Sequence, residues 1–126
     1  MNRTNVLASA LVIGLLSTVS FSVAAQSLRV KCETRSNRSK ASVDGSNLAS
    51  GQYSAVLTSG ANTAQSPLAA TVGDEVEFDF DSNPRDIRKG ATPIASNFIV
   101  GNTVTGKLLD ASGNVVITKT ASCRRK

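Results

Sequence analysis

Two cysteines, Cys32 and Cys123, bracket most of the chain, and they are its only ones. A bond between them would close a loop of about ninety residues, so whatever lies between must fold with its two ends in contact. On the chain-entropy account such a closure contributes roughly 4–5 kcal/mol, an upper figure because strain and residual structure reduce it. For one small domain that is a large share of the total stability. The pairing needs an oxidising compartment, and the N-terminus gives the reason to expect one.

MNRTNVLASALVIGLLSTVSFSVAAQ carries Arg3 as its only charge, an apolar stretch from Val6 to about Val19, and small residues at Val23, Ala24 and Ala25. This is the pattern of a secretory signal peptide, residues 1–25, cleaved after Ala25. A membrane anchor is the competing reading. The apolar run, however, is broken by Ser9, Ser17, Thr18 and Ser20 and is shorter than the ~20 residues of a span. Residues 26–126 are then expected to form a single exported domain, periplasmic or extracellular, with no integral membrane span. The chain has no histidine and no Cys-x-x-Cys, so zinc, haem and copper sites of the usual kinds lack ligands. The Cys32–Cys123 disulfide is the expected state of the two thiols.

Turn signals recur at short spacing: Asp44-Gly45-Ser46-Asn47, Ser59-Gly60-Ala61-Asn62, Val72-Gly73-Asp74, Ser82-Asn83-Pro84, Gly101-Asn102 and Ser112-Gly113-Asn114. Between them lie short runs rich in Val, Thr, Ile and Phe, which is the pattern of an all-β fold. Strands are expected near 28–34, 40–43, 52–58, 63–70, 75–81, 97–100, 103–109 and 115–123. The most secure local feature is VTGKLLDASGNVVITKT, in which Asp110 to Asn114 supplies turn residues between two β-branched runs. PRDIRKG has room for one turn of helix within the irregular stretch 82–97. The expectation is a small antiparallel β-sandwich of about seven to eight strands, its termini drawn together by the disulfide. This architecture is similar to that of small bacterial immunoglobulin-like modules, without the core tryptophan common in such domains.

Fourteen Lys and Arg stand against nine Asp and Glu; removing Arg3 with the leader leaves thirteen against nine, or +4. The excess is uneven. Arg29, Lys31, Arg35, Arg38 and Lys40 crowd the start of the mature chain, and Arg124, Arg125 and Lys126 follow Cys123 directly. A disulfide would gather them into one basic patch, attractive to an anionic polymer, to phosphate groups or to a negatively charged surface. The alternative is a solvated surface that keeps the domain soluble. Specific nucleic-acid reading is not expected, because the mature chain offers only Tyr53, Phe78, Phe80 and Phe98 to stack on bases and two of these alternate with acids in a core pattern.

That pattern is EVEFDFDSNPRD. Val76, Phe78 and Phe80 point one way in a strand while Glu75, Glu77, Asp79 and Asp81 point the other, about 6–7 Å apart along one face. So many like charges need something beside them. One answer is structural: the first strand alternates in the same manner, with Leu28, Val30 and Cys32 on one face and Arg29, Lys31, Glu33 and Arg35 on the other, and pairing the two strands would set acid against base. The other is a cation, divalent or trivalent. Asp79, Asp81, Asn83 and Asp86 give D-x-D-x-N-x-x-D, alternating oxygen ligands of the kind calcium prefers, with Glu77 as a further donor. The segment is not an EF-hand loop, since Pro84 and Gly90 stand where glycine and glutamate are required.

Catalysis finds little to work with. There is no histidine, no thiol outside the expected disulfide, and no base beside the many serines, so the usual constellations cannot be filled and no enzyme is expected. A noncatalytic binding or interaction module is the expected class, presenting a basic end and an acidic strand to a protein or an anionic polymer. A cation-binding protein built on Asp79–Asp86 is one alternative, and adhesion or assembly through sheet edges is another.

Overall fold

The computed structural model describes residues 25–126; the expected leader, apart from Ala25, lies outside the described residues. The chain is nearly all β, with two sheets. Its strands are β1 (Ser27–Arg35), β2 (Arg38–Ser46), β3 (Gln52–Ser59), β4 (Asn62–Gln65), β5 (Ala69–Ala70), β6 (Val76–Asp81), β7 (Thr92–Pro93), β8 (Thr103–Asp110), β9 (Val115–Ser122) and β10 (Arg124–Arg125). One short helix, α1 (Pro84–Arg88), joins β6 to β7. Sheet 1 has the order β10-β1-β2-β6-β7. Sheet 2 has the order β4-β3-β8-β9, with β5 also beside β3.

Period-two alternation decides which side chains are inside. From sheet 1, Leu28, Val30, Val43, Val76, Phe78 and Phe80 are buried; from sheet 2, Tyr53, Ala55, Leu57, Val104 and Leu108 meet them. The contact between sheets is close enough to require glycine. A side-chain Cβ at Gly106 of β8 would lie 2.8 Å from Val30 Cγ2 and 3.1 Å from Val43 Cγ2. Gly45 is the counterpart on β2, with Leu108 Cδ2 at 3.0 Å from where its Cβ would stand. Asp44-Gly45 therefore lies within a strand, and the expected turn falls later, at Asn47, whose φ is 58°.

Cys123 follows β9 and precedes β10, at the point where the chain leaves sheet 2 and joins sheet 1 alongside β1. It bonds Cys32 of β1 with the two Cα atoms 4.6 Å apart. Asn102 clasps the same crossing: Cys123 N–H donates to Asn102 O, and Asn102 Nδ2 donates to Cys123 O, both at 2.9 Å. The hairpin of β8 and β9 closes as expected, its turn held by Asp110 Oδ1, which accepts from the Ser112 and Asn114 backbone N–H groups.

Four further expectations need correction. The strand expected over 63–70 is two, β4 and β5, because Pro67 has no N–H to continue a ladder and Ser66 turns inward, its hydroxyl accepting from Ala55 N–H. The strand expected over 97–100 reduces to a single bridge between Val100 and Thr103. The pairing is mixed rather than wholly antiparallel, since β10 runs parallel to β1 and β7 parallel to β6. Finally, β6 pairs with β2 and not with β1.

The ends of the sheets are blunted. β10 and β7 have two residues each, and β7 contains Pro93. The longer edge strand β9 carries an irregularity opposite Leu108 and Leu109, and its Lys119 stands opposite Gly106, on the inner side of the strand yet exposed. Short length, proline, bulges and inward-pointing charge are the devices by which sheet edges resist pairing with other chains.

Candidate functional site

The outer face of sheet 1 is built in rows, because residues directly opposite each other share a face. One row runs Arg124, Glu33, Lys40, Asp81; the next Lys31, Ser42, Asp79; the next Arg29, Asp44, Glu77. The acids of β6 and the bases of β1 are thus opposed across an intervening strand. The charges still segregate, with cations on the β10 and β1 side and carboxylates on the β6 side. Glu77 directly faces Asp44, a like-charge neighbour. Burial, and then the charges of Glu77 and Asp79, push the Asp44 carboxyl above its ordinary value against the pull of Lys31 and Arg29.

At the basic end Glu33 is the hub. Arg35 Nη2 lies 3.0 Å from Glu33 Oε2 and Lys126 Nζ lies 3.8 Å from Oε1, while Arg124 and Lys40 flank Glu33 in the sheet. Partial burial raises the Glu33 carboxyl, but the hydrogen bond from Arg35 and the charges of Lys126, Arg35 and Lys40 outweigh it, and the group sits below its ordinary value. One carboxylate among four cations leaves this end strongly positive. Lys126 N–H donates to Thr34 O at 2.9 Å, which fixes the last residue against β1. Arg125 turns to the other side of β10, where Arg35, Ser36, Asn102 and Lys126 join it around a hollow of about 770 Å³. The Oδ1 of Asn102, beside this hollow, is buried without a hydrogen-bond partner.

The aspartate that ends β6 and the one in α1 gather around a guanidinium. Arg38 Nε donates to Asp81 Oδ1 at 2.9 Å and Nη2 to Oδ2 at 2.7 Å, and the same Nη2 donates to Asp86 Oδ2 at 2.9 Å. Asp81 is 2% exposed. Its Oδ1 also accepts from the Asn83 N–H. Burial alone would raise this carboxyl; the Arg38 and Asn83 hydrogen bonds and the Arg38 charge hold it below the ordinary carboxylate range instead. Asn83 Oδ1 caps α1 by accepting from Arg85 N–H. Both carboxylates of the D-x-D-x-N-x-x-D segment that could face inward are therefore occupied by a side chain from β2. Glu77 and Asp79 stay exposed on the strand. Among the described residues no group of three or more His, Cys, Asp or Glu side chains is placed to hold a metal ion.

Of the eight expected patch residues, Arg38 is withdrawn into this structural role. Arg35, Lys40, Arg124 and Lys126 surround Glu33, Arg125 lies behind them, and Lys31 and Arg29 extend the cations along β1. Sequence reasoning gave Glu33 no role at the centre; its position two residues before Arg35 on an alternating strand was the available signal. In comparison with known proteins, no family model matches the chain and no curated protein matches it.

Proposed function

We propose that this chain is a small exported, noncatalytic binding module, an immunoglobulin-like β-sandwich, that engages an anionic polymer through the basic end of sheet 1. The observation that carries the reading is the convergence on Glu33. The disulfide and the parallel β1–β10 pairing bring Arg124 and Lys126 from the chain's far end beside Arg35 and Lys40. Cations held in place by backbone pairing lose less freedom when they meet an anion than cations on a loose tail. The polar hollow beside Arg125 suits a polymer that carries hydroxyl as well as acidic groups. Both cysteines are consumed in the disulfide and the chain lacks histidine, which supports a role without catalysis. The short or irregular outer strands β7, β9 and β10 weigh against assembly of copies through those edges.

Heparin, as a sulfated glycan, is the probe. The oxidised protein is expected to bind it at 50 mM NaCl, and, with about four cations engaged, affinity should fall roughly fifty-fold by 200 mM through counterion release. Replacing Arg124, Arg125 and Lys126 together by serine should abolish most of the binding, whereas Arg85→Ser and Arg88→Ser on α1 should leave it intact. Binding that ignores the C-terminal substitutions would refute the assignment.

A further inference from the structure

The acidic strand has an unfilled side. β6 is paired along its whole length to β2, from Gly45 opposite Val76 to Lys40 opposite Asp81. On the other side, pairing occurs only at its two ends. Just before β6, Glu75 and Val72 exchange backbone hydrogen bonds of 2.8 and 3.2 Å. At the far end β7 lies beside Phe80 and Asp81, and Ile94 N–H donates to Asp81 O at 3.0 Å. The backbone polar groups of a strand point alternately left and right. Glu75 and Asp81 both point to the open side, so Glu77, between them, does too. Among the described residues no strand lies there alongside Val76–Phe78, and because Thr92 of β7 pairs beside Phe80 and Pro93 has no N–H to give, Thr92 N–H takes the Asp79 carbonyl; the open backbone groups are Glu77 N–H and C=O and Asp79 N–H.

The space beside that gap is a cleft of about 470 Å³ whose opposite wall is Ser66–Ala69, and a second hollow of about 410 Å³ continues it toward Val72. Leu68, 51% exposed, and Val72, 85% exposed, stand along this line. Glu75, Glu77 and Asp79 rim it without an ion pair, against Lys40 and Lys89. Asp81 and Asp86 also line it, but Arg38 holds them. The central few residues of an incoming extended segment would therefore meet three unpaired backbone groups, with the segment's flanks turning away from Val72 and Thr92 at the two ends of the gap. Its outward side chains would lie beside carboxylates, and its inward ones beside Leu68 and Ala69. A second copy entering through the same edge would set Glu77 and Asp79 against their own kind, which is unfavourable.

We propose that the open side of β6 receives an extended segment of another protein in which lysine or arginine alternates with small apolar residues. This is strand addition, with affinity from main-chain hydrogen bonds and selectivity from alternate side chains. It rests on the binding-module reading only in treating the protein as noncatalytic, and it uses the edge of sheet 1 opposite the heparin site.

The probe is a ten-residue peptide of alternating lysine and valine, acetylated and amidated, titrated into the oxidised protein at 50 mM NaCl and followed by amide NMR and calorimetry. Shifts should centre on Val76–Asp79 and Ser66–Val72. Affinity should fall at least tenfold when alternate peptide nitrogens are methylated, and at least tenfold in Glu77→Lys/Asp79→Lys, both exposed positions. Equal affinity for the methylated peptide would mean charge attraction without strand pairing and would overturn the proposal. So would shifts centred elsewhere, or no binding at millimolar peptide. If the double variant does not fold, the methylation comparison on the unsubstituted protein decides alone. Heparin binding measured on the same sample reports the basic end, so failure of one reading is separable from failure of the other.

Discussion

Replacing Arg38 by methionine keeps most of its volume and removes the cation that Asp81 was buried against. Asp81 has 3% of its side chain exposed and Arg38 18%, so the pair is screened little by water. Breaking a buried pair by deleting one partner costs about 3–5 kcal/mol. The lower figure, about 3 kcal/mol, applies here because Asp81 keeps its hydrogen bond from Asn83 N–H. For a domain of this size it corresponds to a fall in Tm of about 12–24 °C. Urea unfolding at pH 7 should show a lower midpoint with an unchanged slope.

The pH dependence sharpens the test. In the unsubstituted protein the folded Asp81 pKa is depressed. Its contribution is therefore present above the unfolded value of about 3.9 and is lost as pH falls toward the folded one. Without Arg38 the pull of its hydrogen bond and charge is gone while burial stays, so the folded pKa rises toward or past the unfolded one and the variant has less of this contribution to lose as pH falls. The gap between the two proteins should be widest at pH 7 and narrower at pH 4. Introduced on top of Asp81→Asn, Arg38→Met should cost under about 1 kcal/mol, a coupling of about 2 kcal/mol. A cost below about 1 kcal/mol in the single variant, or a gap that widens toward pH 4, would refute the reasoning.

Three further outcomes follow from the same geometry. Gly106→Ala should destabilise by about 1–3 kcal/mol in urea unfolding, because its methyl would stand 2.8 Å from Val30 Cγ2 in a packed interior. Asp44→Asn should be neutral or stabilising by about 0.5 kcal/mol at pH 7, since it relieves the repulsion with Glu77; as the folded Asp44 pKa is raised, any gain should vanish as pH falls through it and the group protonates. Cys32→Ser/Cys123→Ser should cost about 2–5 kcal/mol in thermal unfolding and weaken heparin binding, because β10 then depends on its short pairing with β1 and the few backbone hydrogen bonds beside it.

The alternation of Val76 to Asp81 was legible because a strand's faces are written in its own residues. Its neighbour was not. Arg29 and Lys31 complement Glu77 and Asp79 in pattern, yet β2 stands between them, and nothing local in a strand records who lies beside it. Asp81 and Asp86 were legible as part of an acidic cluster, but the group they hold, Arg38, comes from 43 and 48 residues away in the chain and reads in sequence as one more surface cation. Gly45 misled for a related reason: beside Asp44 it has the appearance of a turn, while its absence of a side chain serves contact with Leu108 across the core. The Asp110–Asn114 turn, whose bonds are all local, and the short helix at Pro84 were readable as they stand.

The disulfide also decides how the protein bears a mechanical load. β10 runs parallel to β1, so a pull applied at Ala25 and Lys126 draws the two strands past each other along their length. The force then passes from the segment before Cys32 directly into Cys123, and the 91-residue separation between them lies outside the tensioned path. Under tension the oxidised domain should yield only the residues outside the bond, Leu28 and Val30 of the core among them, and the part that the bond closes, with the Arg38 anchor and the open side of β6, should stay out of the load until the bond is reduced.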